Sequence, residues 1–306
     1  DVLVYLSPIK WFKLDRIIGN INNKMNDKVL IHKVITSIKD NLKKINKKLV
    51  DRKVKIRASD LSRKLIWKLT NSLFDKSDLI ISPSNSITRE LIKYKTKPRV
   101  VTISNGIETK KFRCKTNYNN TIRKFLHVGR IGFEKKIDVV IISLSHVIKK
   151  YPDICLTIVG DGPAILNLKM IVAQKKLGKN IIFKGFVNRD DLPEIYRQHD
   201  VFITASEMET QGLVIIEAMA SGLPVIGVNV LAIPDVVHHN ITGYLALKGD
   251  ARDIAKYMQK FVVDAPSVKK MGKNARKEAE KHDIDHCMKK LERTYLEVSR
   301  MGKSRI

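Results

Sequence analysis

The sequence predicts an α/β protein with two units, each built around a parallel sheet, of which the first is incomplete. Between residues 122 and 228, short apolar runs alternate with longer segments in which apolar residues recur at helical spacing. Strands that alternate with helices in this way form parallel sheets with helices on both faces. The chain has 306 residues, of which 43% are hydrophobic, and this is enough for the cores of two domains.

The second unit carries the clearer alternation. Its strands are predicted at 124–131, 154–163, 180–187, 201–206 and 223–228. Its helices are predicted at 135–152, 164–178, 189–200 and 211–222, with Pro152, Gly178 and Gly222 at three of the ends. Parallel sheets bind ligands at the carboxyl ends of their strands, so the loops after these strands are the expected site.

The first unit is predicted from fewer segments. Strands at 1–8 and 27–35 precede a helical stretch at 40–74, a strand, turn and helix at 78–94, and a strand and loop at 99–112. The polar segment 113–122 links the units, and a helix is predicted at 284–300. We expect a partial amino-terminal domain at 1–115, a second domain at 122–283, and a terminal helix at 284–306 that packs back towards the first domain.

The chain is strongly basic, which favours an anionic partner. Its formal net charge is +27, and residues 1–118 hold 28 Lys and Arg against 10 Asp and Glu. The Lys, Asn and Ile usage of an AT-rich genome is an alternative source of this charge. Nucleic acid is not the expected partner, since aromatic residues make up only 6% of the chain and no recognition motif is present.

The cysteines and the hydropathy bear on the compartment. Cys114, Cys155 and Cys287 are far apart and lack the spacing of a metal site. This favours reduced thiols and a cytoplasmic protein. The sequence has no run of about 18 apolar residues, so no transmembrane helix is predicted.

Two cations follow the first strand of the second unit. Arg130 and Lys135 lie in GRIGFEKK, which begins at Gly129. A guanidinium and an ammonium that converge at the carboxyl edge of a sheet suit a diphosphate. Two surface cations of a basic protein are the alternative. The next strand ends in GDGP at 160–163, where the glycines allow close approach to a ligand or form a plain turn.

A further group surrounds the helix that starts at Gln211, Gly212 and Leu213. Free backbone N–H groups and the helix dipole attract an anion there. Glu217 lies about 7 Å further along the helix axis than this anion site. Its sequence neighbours are apolar, and burying a carboxylate among them costs several kcal/mol unless it is hydrogen-bonded. That distance matches the separation between the diphosphate and the ribose hydroxyls of a nucleotide, so Glu217 could bind ribose. The alternative is that Glu217 forms a salt bridge to a neighbouring lysine. Glu209 would then face a sugar attached to the phosphates.

Together these motifs resemble the nucleotide-binding domain of retaining glycosyltransferase family 4, whose GT-B fold has two Rossmann-like domains. The similarity covers about residues 78 to 300 and runs through HVGRIGFEKKID, IVGDGP, FKGFV, DVFITASEMETQGLVIIEAMASGLPVI and NITGYL. The two glutamates separated by seven residues are its most specific part. ETQGL and EKKID are similar to bacterial diacylglycerol glucosyltransferases, which make membrane glycolipids.

The resemblance implies a role for each candidate residue. Arg130 and Lys135 would bind the donor phosphates and stabilise the leaving diphosphate, and Glu209 would contact the sugar and assist the transferring carbon. Glu217 would bind ribose, and the backbone around Phe186 would touch the base. The implied donor-binding set is Gly129, Arg130, Lys135, Phe186, Glu209, Thr210, Gln211, Gly212, Leu213 and Glu217. Family members need no metal, and no other cofactor is implied.

The resemblance also implies a reaction and a location. A hexose, glucose from UDP-glucose, would be transferred with retention to a lipid such as diacylglycerol by an enzyme on the inner face of the cell membrane. The segment 40–74 combines cations with apolar residues at helical spacing, which suits an anionic membrane surface. The same apolar stripe would serve equally for packing on its own domain.

Two departures from the family keep other functions open. His32 matches the first histidine of a pair in the lipid glucosyltransferases, but the second falls on Ile35, which cannot hydrogen-bond a sugar. The glycine-rich strand and turn that open the family's amino-terminal domain have no match, so we expect a fragment or a degenerate protein. The alternatives are a family 4 enzyme with a polysaccharide or soluble acceptor, and a catalytically impaired protein that binds nucleotide sugars.

Overall fold

The computed structural model describes residues 2–4, 70–72, 74–118 and 120–303. The predicted strand at 27–35, most of the helical stretch 40–74, and the positions His32 and Ile35 lie outside the described residues.

The described residues form strands and helices in alternation. The strands are β1 (Val2–Val4), β2 (Leu79–Ser82), β3 (Arg99–Thr102), β4 (Lys124–Val128), β5 (Cys155–Val159), β6 (Ile181–Gly185), β7 (Val201–Ile203), β8 (Val225–Val228) and β9 (Gly243–Ala246). The α-helices are α1 (Asn85–Lys93), α2 (Ile137–Val147), α3 (Ile165–Gln174), α4 (Leu192–Arg197), α5 (Leu213–Ala220), α6 (Ile233–Val236), α7 (Ala251–Val263), α8 (Ala265–Glu280) and α9 (Ile284–Lys303). A 3-10 helix covers Phe133–Lys135.

Two parallel sheets organise these elements. The small sheet has the order β1-β2-β3, and the large sheet has the order β6-β5-β4-β7-β8-β9. In the large sheet the chain winds outwards from β4 to β6 and then returns to the other side of β4 with β7. Open α/β sheets bind ligands where the winding direction reverses. The parallel α/β architecture predicted from the sequence is confirmed.

The large sheet is covered on both faces. Every residue of β7 and β8 is buried, and so are Phe125 and Leu126 of β4. Continuous apolar strands are typical of a parallel sheet that lies between two helical layers. The helices also contact each other: α7 contacts α2, and α8 contacts α5. Helix α5, which carries Glu217, therefore has a second helix beside it as well as the sheet.

The terminal helix α9 packs against the small sheet. Leu79 and Ile81 of β2 form one apolar cluster with Ile103 and with Leu291 of α9. Three more residues of α9 are packed against this cluster, namely Met288, Tyr295 and Val298. A face of the small sheet is thus buried by a helix that lies about 200 residues later in the chain.

Polar contacts fasten the linking segment and the first unit to the large-sheet unit. Lys115 Nζ lies 3.0 Å from the buried Asp200 carboxylate. At the start of α1, the Ser86 N–H donates to Asp235 Oδ2 at 2.7 Å, and Arg89 pairs with Asp235 Oδ1 at 3.1 Å. These bonds join α1 to α6, which follows β8 at the carboxyl edge of the large sheet.

Several predicted bounds are corrected. The helix predicted at 135–152 begins only at Ile137, because Lys135 lies in the 3-10 helix and Lys136 has the left-handed φ of 51°. The helix predicted at 211–222 begins at Leu213, after Gly212 at φ 74°. Residues 229–283, for which no element is predicted from the sequence, contain α6, β9, α7 and α8.

Candidate functional site

Lys135 and Glu209 meet where the winding of the large sheet reverses. Lys135 Nζ lies 2.6 Å from Glu209 Oε1, and the two side chains are 19% and 12% exposed. One residue follows β4 and the other follows β7, so neighbouring strands position the pair. The Glu207 N–H donates to the Glu134 carbonyl at 3.3 Å and joins the two loops. A phosphate that binds Lys135 must therefore exchange with, or share, the Glu209 carboxylate.

Arg130 lies on the same loop but pairs with another residue. Its guanidinium is 2.6 Å from Glu134 Oε1, and its side chain is 65% exposed. Exposed ion pairs of this kind contribute about 0–1 kcal/mol. Arg130 can therefore turn towards a ligand at small cost. The ion pairs of the two cations thus differ: Arg130 pairs with Glu134, whereas Lys135 pairs with Glu209.

The GDGP turn supports this loop. A Cβ added at Gly160 would lie 1.9 Å from the Gly129 carbonyl oxygen, and one added at Gly162 would lie 2.5 Å from the Ile131 carbonyl oxygen. The Ile131 N–H donates to the Asp161 carbonyl at 2.8 Å. The two glycines thus let the β5 turn press against the backbone that carries Arg130. This close packing explains why glycines are needed in GDGP, and it favours the interpretation of GDGP as a turn over close approach to a ligand.

The start of α5 offers backbone donors. The N-cap residue Gly212 adopts a left-handed φ of 74°, and as a glycine it has no side chain that could cap the helix start. Helix N–H groups without a capping side chain attract anions. Thr210 beside them is exposed, and Leu213 is half-buried.

Gln211 has a different role from its neighbours. Its side chain is buried, its Nε2 donates to Ser104 Oγ, and its Oε1 accepts from the Asn105 N–H at 3.2 Å. Ser104 Oγ also lies 2.9 Å from Nδ1 of His282. Both ends of the Gln211 amide are therefore engaged. The side chain connects the start of α5 to the loop that follows β3. Any contribution of Gln211 to anion binding would therefore come from its backbone N–H.

Glu217 is buried on α5 and has polar partners. The Tyr196 hydroxyl lies 3.1 Å from Glu217 Oε2, and a guanidinium nitrogen of Arg189 lies 3.8 Å from Oε1. The Glu217 side chain is 7% exposed, whereas Arg189 is 48% exposed. These groups offset the cost of burying the carboxylate. The alternative to a ribose-binding role for Glu217 was a salt bridge to a lysine, and the structure places the guanidinium of Arg189 beside the carboxylate.

Tyr196 and Arg189 were not identified from the sequence. Burial, followed by the nearby Glu217 charge, holds the pKa of the Tyr196 hydroxyl well above its ordinary value of 10.0. The hydroxyl therefore keeps its proton and can donate to the carboxylate. Tyr196 lies in α4, and Arg189 lies in the loop just before α4.

Phe186 follows the edge strand β6. Its side chain is 78% exposed. The loop that begins at Phe186 continues to Arg189, so it runs from the edge of the sheet to the Glu217 carboxylate. A base held at Phe186 would lie next to a ribose held at Glu217. The roles assigned to these two residues stay predictions.

His127 lies beneath the Lys135–Glu209 pair in β4. Its Nδ1 donates to the Ile203 carbonyl of β7 at 3.0 Å. Nε2 has no hydrogen-bond partner among the described residues. Burial lowers the pKa of the imidazole to about 4, although the bond to Ile203 opposes the shift. The ring is therefore neutral near pH 7 and joins the two strands whose loops carry the site.

Two properties of the described residues bear on membranes and metals. Within it, no helix combines the length and the apolar character that a bilayer crossing requires. In the same residues, no three His, Cys, Asp or Glu side chains are grouped so as to hold a metal ion.

Comparisons with known proteins place these features in a family. The family model described as "Glycosyl transferases group 1" matches residues 108–278, and the model described as "Glycosyltransferase Family 4" matches residues 48–111. A sulfoquinovosyl transferase of Arabidopsis thaliana is 32% identical over 235 residues, which are 72% of this chain and 44% of the relative. An alpha-monoglucosyldiacylglycerol synthase of Streptococcus pneumoniae is 31% identical over 175 residues, which are 53% of this chain and 40% of the relative.

The fold has solved counterparts. The structure of the Anabaena protein HepE in complex with UDP and glucose has a TM-score of 0.69 at 19% identity, and the match covers 76% of this chain and 66% of HepE. The predicted GT-B architecture is confirmed by such neighbours. The chain spans less than half the length of the two curated relatives named above. With a family model matched over more than half of its residues, the chain belongs to the group 1 glycosyl transferases.

Proposed function

We propose that this chain carries the donor site of a retaining glycosyltransferase. It takes a hexose from a nucleotide sugar, with UDP-glucose as the expected donor, and transfers it to a lipid hydroxyl such as that of diacylglycerol. The reaction takes place at the cytoplasmic surface of the cell membrane. The observation that carries the proposal is the placement of Glu209 and Glu217 on either side of the uncapped start of α5, with Lys135 against Glu209.

This placement fits the parts of a nucleotide sugar. The start of α5 and Lys135 offer backbone N–H groups and an ammonium to the diphosphate. Glu217 lies further along α5, where its carboxylate can accept from ribose hydroxyls. Glu209 lies before α5, on the side where the hexose would project. Phe186 is positioned next to the ribose end, where the base would lie.

The chemistry follows from these positions. The bond between the anomeric carbon and the diphosphate oxygen breaks, and the acceptor hydroxyl oxygen bonds to the same carbon on the same face. The hydroxyl proton passes to the leaving phosphate oxygen, since no general base is apparent in the described site. Lys135, Arg130 and the N–H groups of α5 stabilise the charge that develops on that leaving group.

The lipid acceptor rests on two observations. The printed name of the pneumococcal relative describes a synthase of monoglucosyldiacylglycerol. The net charge of +27 favours an anionic surface such as a membrane of acidic lipids. A group 1 enzyme with a soluble or polysaccharide acceptor would keep the same donor site.

The donor site is tested by calorimetric titration with UDP. We expect Glu217→Ala and Arg130→Ala each to weaken binding tenfold or more, which is about 1.4 kcal/mol. Matched controls are Glu194→Ala and Arg197→Ala, which break an exposed ion pair on α4. These controls should leave the UDP affinity unchanged. Failure of a folded chain to bind UDP or GDP would contradict the proposal.

The acceptor is tested separately. Sedimentation with vesicles should show binding to anionic lipid that decreases as salt is added, because charged surface interactions are screened. Vesicles that contain diacylglycerol should then yield a glycolipid from UDP-glucose. UDP binding with no vesicle binding at low salt would favour a soluble acceptor. UDP binding without turnover or donor hydrolysis would favour a protein that binds nucleotide sugars and has lost catalysis.

A further inference from the structure

Helix α4 brings a buried hydroxyl to the carboxylate of Glu217. Tyr196 is fully buried, and its ring packs edge-on against Phe112 and at a tilt against Phe202. The ring therefore has little freedom to turn. Its hydroxyl lies 3.1 Å from Glu217 Oε2 and 3.2 Å from the Val214 carbonyl oxygen.

One proton is available for these two acceptors. Both neighbours of the hydroxyl are oxygens that only accept, so the single O–H must point mainly to one of them. A bond to an ionised carboxylate is about twice as strong as a bond to a neutral carbonyl. Tyr196 therefore donates to Glu217. Because the ring is held by packing, this bond fixes the direction in which the carboxylate faces.

The loop before α4 brings a positive charge close to the same carboxylate. Arg189, in the loop that enters α4, lies 3.8 Å from Glu217 Oε1. That separation is too long for a hydrogen bond, so the guanidinium balances charge without fixing an angle. The Tyr196 hydroxyl, by contrast, makes a directional hydrogen bond to Glu217.

We propose that Tyr196 is a positioning residue for ribose recognition: its hydroxyl, held by the packed ring, orients the Glu217 carboxylate towards the ribose hydroxyls of the donor. This inference rests on the proposed function, since it takes Glu217 as the ribose-binding group. A hydrogen-bonded carboxylate that is already oriented loses less conformational freedom when the ligand binds.

The test compares two nucleotides on one variant. Tyr196→Phe keeps the ring and removes the hydroxyl. We expect it to weaken UDP binding about fivefold to tenfold in calorimetry, which is about 1–1.4 kcal/mol. We expect no change for the dideoxy analogue of UDP that lacks both ribose hydroxyls, because Glu217 then has no ribose group to meet. A purely structural effect of the substitution would weaken both nucleotides equally.

The matched control removes another tyrosine hydroxyl near the same helix. Tyr118 donates to the Gly222 carbonyl at 3.0 Å, just beyond the carboxyl end of α5. Tyr118→Phe should leave both affinities unchanged. In the double variant with Glu217→Ala, adding Tyr196→Phe should cause no further loss of UDP affinity. Independent, additive losses would contradict the inference.

The outcomes separate the inference from the function on which it rests. If the wild type does not bind UDP, or if Glu217→Ala binds UDP as well as the wild type, the proposed function fails. If Glu217→Ala weakens UDP but Tyr196→Phe changes neither nucleotide, or changes both equally, only the inference fails.

Discussion

The two ends of the candidate site are built differently. What we propose as the phosphate end consists of Arg130 and Lys135, with Glu209 paired to Lys135, in the loops after β4 and β7. What we propose as the ribose end consists of Glu217 and Tyr196, which lie in helices α5 and α4. At the phosphate end the groups form ion pairs, one of them largely exposed. At the ribose end a neutral hydroxyl meets a buried carboxylate.

The difference determines what each end can do when a ligand binds. Ion pairs between loops can exchange partners, so the phosphate end suits a charge that arrives with the donor and leaves with the product. A buried hydrogen bond between helices resists change, because breaking it would leave a polar group without a partner. The ribose end therefore suits a part of the ligand that does not react.

The largest effect is expected from Gly160→Ala. The new Cβ would lie 1.9 Å from the Gly129 carbonyl oxygen, so the backbone of the phosphate end must shift. We expect the free energy of unfolding to fall by about 4 kcal/mol in urea denaturation. The control is Gly178→Ala, where no atom lies within 4 Å of the added carbon. Equal stability of the two variants would show that GDGP does not support the phosphate end.

Acid should weaken the strands under the phosphate end. The pKa of His127 is lowered from 6.5 to about 4, so between these values the unfolded chain binds more protons than the folded one. The stabilisation by the neutral ring is complete above pH 6.5 and is lost as the pH falls towards 4. The loss reaches at most about 3 kcal/mol. Urea denaturation from pH 7 to pH 4 measures it.

The control for the acid effect is His127→Gln, which cannot titrate in this range. Carboxylates contribute equally to both proteins, so the difference between wild type and variant isolates the imidazole. If the two proteins lose stability in parallel, His127 does not carry the effect.

Lys135→Ala should act on turnover more than on folding. Removing the ammonium leaves less positive charge for the leaving diphosphate, and we expect kcat with UDP-glucose to fall about 100-fold. Lys248→Ala is the matched control, because Lys248 pairs with Glu207 at 3.0 Å in a neighbouring loop. A similar loss in both variants would mean that general positive charge, rather than the placement of Lys135, matters.

The smallest effect is expected from Arg189→Ala. Arg189 is half-exposed and lies beyond hydrogen-bond distance of Glu217. Such pairs contribute less than about 1 kcal/mol, so the Kd for UDP should change less than about fivefold. A loss larger than that caused by Tyr196→Phe would mean that charge also holds the ribose end. The two ends would then not differ in kind.

The sequence could predict the strands of the large sheet and the loops that follow them. Apolar runs that end at Gly129 and Gly160 mark strand ends, and the parallel topology brings such ends to one edge. The sequence also predicted that Lys135 and Glu209 lie at this edge. It could not predict that they contact each other, because this depends on β7 returning beside β4.

Other features needed the tertiary structure. Tyr196 reads as an ordinary core aromatic in its own helix, and nothing within the segment indicates a carboxylate from α5 as its partner. The missed helix α7 had a readable signal, since Asp250 caps it and Ile254, Met258 and Phe261 follow at helical spacing. Gln211 was predicted as part of an anion site, while its side-chain role depends on a loop from the other unit.

The packing of α9 has a consequence for the order in which the chain is made. The apolar cluster of Leu79, Ile81 and Ile103 is completed by Leu291, near the end of the described chain. During synthesis the contacts that α9 makes with this face of β2 and β3 form only after the whole large-sheet unit has emerged. Exposed apolar strands at this stage favour aggregation. A chain cut before α9 would lack the residues that complete this cluster, so Leu79, Ile81 and Ile103 would lose the apolar contacts that α9 provides.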